Sequence, residues 1–274
     1  MTLALCFHHV SPLGGGHAST PEQFHRHLSA LRERGFCFVD YDTFAKARAG
    51  GRRLPHRSAL VTTDDGYVDN FHWAYPVLRD LGVPAVFFVI TGFVGEGPVR
   101  SAPEDPDGIR ALADETRPDR FMRWSELRAL HDSGLVSIQS HTDGHEQREG
   151  PEDSPMLDSL AADLARSCDA IQAEIGLRPT ALAWPWGRSS ARSRRIAEGL
   201  GLGLQFSVTP GRIGGWSSSR LLSRLCVDER STDWLLARAA YLSSPMVGDA
   251  YSIARICWKL GRGAVRRQMA AQTA

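Results

Sequence analysis

Short apolar runs alternate with amphipathic stretches along most of the chain. Runs at 2–8, 36–39, 58–63, 84–90, 135–139, 180–184, 203–208 and 222–227 are rich in β-branched or aromatic residues and bounded by Gly, Pro or Asp. That pattern predicts strands. Between them, apolar positions return at helical spacing. Thr20-Pro21-Glu22-Gln23 supplies an N-cap, a proline at the first helical position and a capping-box partner. Leu28 and Leu31 give that helix part of its apolar stripe, and Gly35 ends it. Similar helices are predicted near 67–81, 125–133, 156–175, 189–199 and 231–242. Strands alternating with helices imply parallel βα units. The expected fold is therefore α/β, a distorted (β/α) barrel of seven to eight strands forming a single domain over 1–244.

Two segments depart from the rhythm. Residues 95–120 are rich in Pro, Asp, Glu, Gly and Arg and join a strand to the next helix. They read as an insertion over the barrel mouth, with a short helix near 108–115, serving as a solvated loop or as a substrate lid. In 245–274, Tyr251, Ile253, Ile256, Cys257, Trp258 and Leu260 mingle with Arg255, Lys259, Arg262, Arg266 and Arg267. This predicts a basic amphipathic helical extension. It would close the barrel or meet another subunit, or it would touch an anionic membrane surface through 249–270.

Composition trims the function classes. A chain of 274 residues with 42% hydrophobic content can bury an adequate core without disulfides. Its formal net charge of +1 creates no global field for nucleic acid, and none is expected as a partner. No stretch approaches the roughly 20 apolar residues of a membrane span. The N-terminal Met-Thr-Leu-Ala-Leu-Cys-Phe lacks a basic region and a cleavage site, and the five cysteines are scattered without CxxC spacing. Both features predict a cytoplasmic location, with the inner face of the membrane as the place for the C-terminal extension.

Reactive side chains gather where strands end, which in a parallel barrel is one mouth. Asp64-Asp65-Gly66-Tyr67 places two carboxylates on a tight turn. They either merely end the strand or share a divalent cation, which relieves their repulsion and leaves one free as a base. His141 and His145, with three residues between them, fall on one side of a turn. Two imidazoles and one carboxylate make a three-ligand set with room for water. His8 and His9 end the first strand, and alternation turns only one of them to the mouth. There it would be structural or would protonate a leaving nitrogen. Trp184-Pro185-Trp186-Gly187 ends the sixth strand; its indoles either pack at the rim or offer flat faces to a sugar ring.

These residues resemble the motifs of the polysaccharide deacetylases, also called carbohydrate esterase family four or the NodB-homology domain. Thr63-Asp64-Asp65-Gly66 resembles Thr-Phe-Asp-Asp-Gly with Thr63 at the Phe position, and His141-Thr142-Asp143-Gly144-His145 resembles His-Ser/Thr-x-x-His. Trp184-Pro185-Trp186-Gly187 resembles Arg-Pro-Pro-Tyr-Gly, and the likeness spans roughly 3–228. The resemblance implies Asp64 as general base and Asp65, His141 and His145 as ligands of one divalent metal, zinc first, with Co, Ni or Mn as alternatives. It implies that the metal activates a water and that the Trp186 N–H helps hold the oxyanion. Trp184, Tyr67 and Arg224 complete the expected substrate-side group.

Phe7-His8-His9-Val10 looks like the Tyr-His-x-Val strand of the branch that deacetylates poly-β-1,6-N-acetylglucosamine, which makes His8 the general acid. The third-motif arginine is absent, and Arg224 is the candidate replacement charge. No Leu-x-His fifth motif is evident near the C-terminus, which again assigns the acid role to His8. The implied activity is metal-dependent removal of an N-acetyl or similar acyl group from an amino sugar, small, nucleotide-linked or lipid-linked. Alternatives are a deformylase or other linear-amide hydrolase of natural-product or envelope biosynthesis, and an inert carbohydrate-binding protein on the same fold.

Overall fold

Strands form at every one of the apolar runs singled out above. A computed structural model of the chain describes residues 1–250 apart from 16–17, 52, 113, 115, 147–152, 215–220, 245 and 249. The expected C-terminal extension lies almost entirely outside the described residues. The first strand, β1 (Thr2–Phe7), is followed at once by a small parallel ribbon of β2 (His9–Val10) and β3 (Ala18–Ser19). Then come β4 (Cys37–Phe38), β5 (Ser58–Thr63), β6 (Ala85–Val89), β7 (Val136–Ser140), β8 (Ala181–Ala183), β9 (Leu204–Phe206) and β10 (Leu225–Cys226).

The main sheet curls in the order β10-β1-β5-β6-β7-β8-β9, all neighbours parallel. Its two ends approach through one parallel bridge, Phe206 to Leu222, where Ser207 N donates to Leu222 O at 2.8 Å. Cys37 and Phe38 of β4 lie opposite Ser58 and Ala59, below the point where β6 takes up the β5 edge at Val61. The result is a distorted barrel with a weak seam.

Helices α1 (Pro21–Glu33), α2 (Tyr41–Arg48), α3 (Tyr75–Leu81), α4 (Pro106–Leu112), α5 (Trp124–Asp132), α6 (Ser154–Ile175), α7 (Ala191–Gly199) and α8 (Thr232–Ser243) alternate with the strands. The predicted N-cap of α1 is present: Thr20 Oγ1 accepts from Gln23 N at 3.1 Å. The pattern does not predict α2, whose two turns bury only Tyr41 and Phe44 behind an Asp40 cap. The helix expected over 67–81 begins instead as a π turn, Asn70–Ala74. Pro76 stands just beyond it and has no N–H to give a regular ladder.

Strands buried on both faces sort their side chains by alternation. Leu3, Leu5 and Phe7 of β1, with Ala59 and Val61 of β5, pack under the helices in one apolar cluster. Ala4, Leu60, Val86, Phe88, Ala183 and Phe206 fill the barrel in another. This plug closes the barrel below and leaves its upper end for chemistry.

The insertion is pinned at both ends. Gly95 bridges Arg123, and Phe121 bridges Tyr67, with Met122 N donating to Gly66 O at 2.9 Å. Arg100 staples its middle: the guanidinium holds Glu126 through Nε–Oε1 and Nη2–Oε2 bonds of 2.8 Å and also donates to the carbonyls of Asp119 and Phe121. Glu126 is fully buried and also accepts from the Arg123 N–H at the start of α5.

Candidate active site

Alternation carries Ala4 and Cys6 inward on β1, and Leu60 and Thr62 inward on β5. Two residues further on, His8 and Asp64 face the same space. Asp64 is buried against the fully buried Arg224. Two parallel bonds of 2.6 Å join Nη1 to Oδ1 and Nη2 to Oδ2. The remaining guanidinium donors reach Ser207 O and Thr62 Oγ1, and its plane lies 5.4 Å from the Phe88 ring centroid. Burial alone would push the Asp64 carboxyl up, but the Arg224 charge outweighs it and holds the group below the usual carboxylate range. Arg224 thus supplies a buried positive charge directly on Asp64.

Asp65 turns the other way because its backbone is left-handed, φ 70°. Its Oδ1 lies 3.2 Å from His141 Nε2 and 3.5 Å from His145 Nε2. His141 gives its Nδ1 to Ala183 O at 2.8 Å, which leaves the Nε2 lone pair facing Asp65. Burial, then the neighbouring His141, lowers the His145 pKa to about 4, so its imidazole is neutral near pH 7. Ligand atoms on a tetrahedral centre with bonds of about 2.0–2.1 Å sit roughly 3.3 Å apart. The three side chains therefore fit a divalent cation in spacing and donor type.

Cys6 Sγ, a His8 nitrogen and an Asp64 oxygen also come within 4.8 Å of one another. A cation there would face the buried Arg224, whose donors already occupy both Asp64 oxygens. That cluster is not a metal site.

His8 and His9 are each wired to a carboxylate. His8 Nδ1 lies 3.1 Å from Asp228 Oδ2, and Asp228 Oδ1 accepts from the His8 backbone N–H at 2.9 Å. Burial opposes the charged imidazole, yet the Asp228 hydrogen bond and charge, with Asp64 and Asp65 beyond, raise its pKa to about 10. His9 binds Asp69 at 2.6 Å and stacks on Tyr67 at 3.9 Å. Burial and then the charge of Asp65 hold the Tyr67 phenol protonated.

The two tryptophans of the sixth strand end part company. Trp184 is buried under α6 and α7 with Leu160, Leu164 and Ala197, and its Nε1 donates to Gln205 Oε1 at 2.9 Å. It is not at the mouth, because alternation on β8 sends it outward. Trp186 is 45% exposed, with its ring 4.4 Å from that of His145. Among the described residues, the five non-glycine residues with positive φ are Asp65, Thr142, His145, Trp186 and Asp228. All belong to this site, where backbone strain aims side chains that regular strand ends would point elsewhere.

The loop after β7 is held from outside. Thr91 Oγ1 and Arg166 Nε donate to the Asp143 carboxylate, and Gly144 N donates to Asp163 Oδ1. Gly92 allows this packing, since a Cβ there would meet Asp143 O at 2.6 Å. Asp228, Asp69 and Asp163 are absent from the sequence reading, and Asp143 enters it only as an unassigned position inside the second histidine motif. Asp228 alone carries a usable signal, as an acid just past the Arg224 strand.

Comparison with known proteins follows the same lines. The family model described as polysaccharide deacetylase matches residues 51–204. A poly-beta-1,6-N-acetyl-D-glucosamine N-deacetylase of Escherichia coli strain K12 is 22% identical over 206 residues, covering 66% of this chain and 29% of the relative. This chain thus corresponds to less than a third of that protein. The enzyme of the same name from Staphylococcus aureus strain MRSA252 is 23% identical, covering 79% of this chain and 70% of the relative. Among solved structures, IcaB from Ammonifex degensii superposes with a TM-score of 0.72 at 26% identity, covering 89% of this chain and 97% of that one.

Proposed function

The chain belongs to the polysaccharide deacetylase family, and on that premise we propose that it hydrolyses the N-acetyl group of an amino sugar. One observation carries the reading: a ligand trio, a separately ionised carboxylate and a protonated histidine open on one barrel mouth. A binding module has no use for that division of charge.

Asp65, His141 and His145 would hold a divalent cation, zinc or a comparable metal, that supplies Lewis acidity to the amide carbonyl and acidity to an attacking water. The protein's own groups do the rest. Asp64 accepts the proton of the attacking water; a carboxylate held so firmly ionised is a weak base, so its role requires that water to be acidified. Arg224 keeps it ionised and fixes its plane. His8 lies within 4.8 Å of Asp64 and gives its proton to the departing nitrogen, without which the C–N bond would re-form. Asp228 keeps His8 charged until then. Trp186 stands on a left-handed turn beside His145, and its backbone N–H would donate to the developing oxyanion.

The relatives' names make a β-1,6-linked N-acetylglucosamine polymer one candidate substrate, and small, nucleotide-linked or lipid-linked N-acyl amino sugars share the same reacting amide. The test is acetate release from oligomeric and small N-acetylated amino sugars by metal-loaded protein. Wild type should release acetate and Asp64→Asn should lose at least about 100-fold while keeping its metal. Silence from wild type of proven metal content would end the hydrolase reading.

A further inference from the structure

The segment closing the insertion carries a cation that packs on aromatic rings but has no acidic partner among the described residues. Five arginines lie between Gly95 and Trp124. Arg100 grips Glu126, Arg110 pairs with Asp107, Arg117 pairs with Asp119, and Arg123 donates to Pro98 O. Arg120 differs. Among the described residues it has no ion pair or side-chain hydrogen bond, and its Nε is buried without an acceptor. Its guanidinium instead lies 5.2 Å from the Tyr67 ring centroid and 4.8 Å from that of Phe121. Asp114 feels it through space only, since the Asp114 carboxylate is held by Thr116 N and Oγ1.

Its position is as telling as its isolation. Tyr67 is two residues past Asp65, whose charge, after burial, helps hold the phenol protonated. Arg120 ends a short 3-10 turn, Pro118–Arg120, and the carbonyls of its two chain neighbours, Asp119 and Phe121, are both tied by Arg100. The Phe121 bridge to Tyr67 fixes the register of this edge against the metal-ligand turn. An arginine held rigidly on two stacked rings loses little freedom when it binds. A planar cation lacking its own carboxylate, beside a reacting centre, suits an oxyanion of the substrate.

We infer that Arg120 forms a subsite for an anionic group, a phosphate or a carboxylate, carried by the substrate next to the acylated amino sugar. The inference rests on the deacetylase reading and narrows its substrate class. It also sets a preference by repulsion: a sugar whose neighbour already bears a free ammonium is disfavoured beside Arg120. Neutral or progressively deacetylated polymers then make poorer substrates than an N-acyl amino sugar bearing an acid.

The experiment compares N-acetylglucosamine, its 1-phosphate and an N-acetylated amino-sugar uronate. Hydrolysis by metal-loaded protein and binding to metal-free protein are measured separately. Wild type should favour one anionic ligand over the neutral sugar by about tenfold or more in both kcat/KM and Kd. Arg120→Gln should collapse that ratio, and Arg120→Lys should restore part of it. The phosphate and uronate arms identify which acid is read. Equal treatment of all three ligands by wild type, or a ratio untouched in Arg120→Gln, overturns the subsite. Loss of all hydrolysis with the binding ratio intact would sink the deacetylase reading and leave the anion site standing.

Discussion

At the scale of single residues, the site works through paired charges that set each other's protonation. Asp228 is the clearest lever. Asn at that position removes the charge but tolerates the positive φ of 23°. His8 then loses the partner that holds its pKa at about 10. The alkaline limb of the kcat/KM profile should move down by about one pH unit or more; a limb that stays in place would show that another group titrates there. The linked effect on folding has a definite sign. Because the folded pKa of His8 is raised, its contribution to stability is complete below about pH 6.5 and is lost as pH climbs through about 10. Asp64 behaves oppositely: its depressed pKa stabilises the fold above about pH 4, and that contribution disappears in acid.

At the scale of elements, short bridges decide whether loops hold their chemistry in place. The insertion has few buried residues of its own, and α4 buries none. It is ordered by Arg100 and by the fully buried Glu126, which also caps α5. Glu126→Ala removes one member of a mostly buried ion pair and the cap together. The expected cost is about 3–5 kcal/mol in denaturant unfolding. Amide exchange over 95–123 should rise well above that of β5 and β7. Unchanged exchange in the insertion would mean that its two backbone bridges suffice. The same logic explains the loop after β7, where Thr91, Arg166 and Asp163 hold a strained turn from outside.

For the whole molecule, the mouth joins residues from both ends of the chain, so a cation bound there stabilises the entire barrel. Metal at about 100 times its Kd should add roughly 2.7 kcal/mol. For a domain of this size that raises Tm by about 5–10 °C. His141→Ala should abolish the metal-dependent rise while leaving a folded apoprotein. A rise of equal size in that variant would place the cation elsewhere.

Local pattern determined much of this protein. Eight strand positions, most helices and the two ligand motifs were legible because strand alternation, helix caps and short-range motif spacing operate within a few residues. Alternation along β1 told only that one of His8 and His9 faces the mouth; the preference for His8 came from the family resemblance of Phe7-His8-His9-Val10. Other elements escaped for local reasons: α2 is too short to show a period, and Pro76 turns a helix start into a π turn. What pairs with what required the closed sheet. Arg224 meets Asp64 across 160 positions, and Asp228 meets His8 across 220. What Trp184 packs against under α6 and α7, and the placing of the exposed Trp186 ring beside His145, likewise required the assembled barrel. Such partners are chosen by the curl of the barrel and the space left inside it, which no stretch of sequence contains by itself.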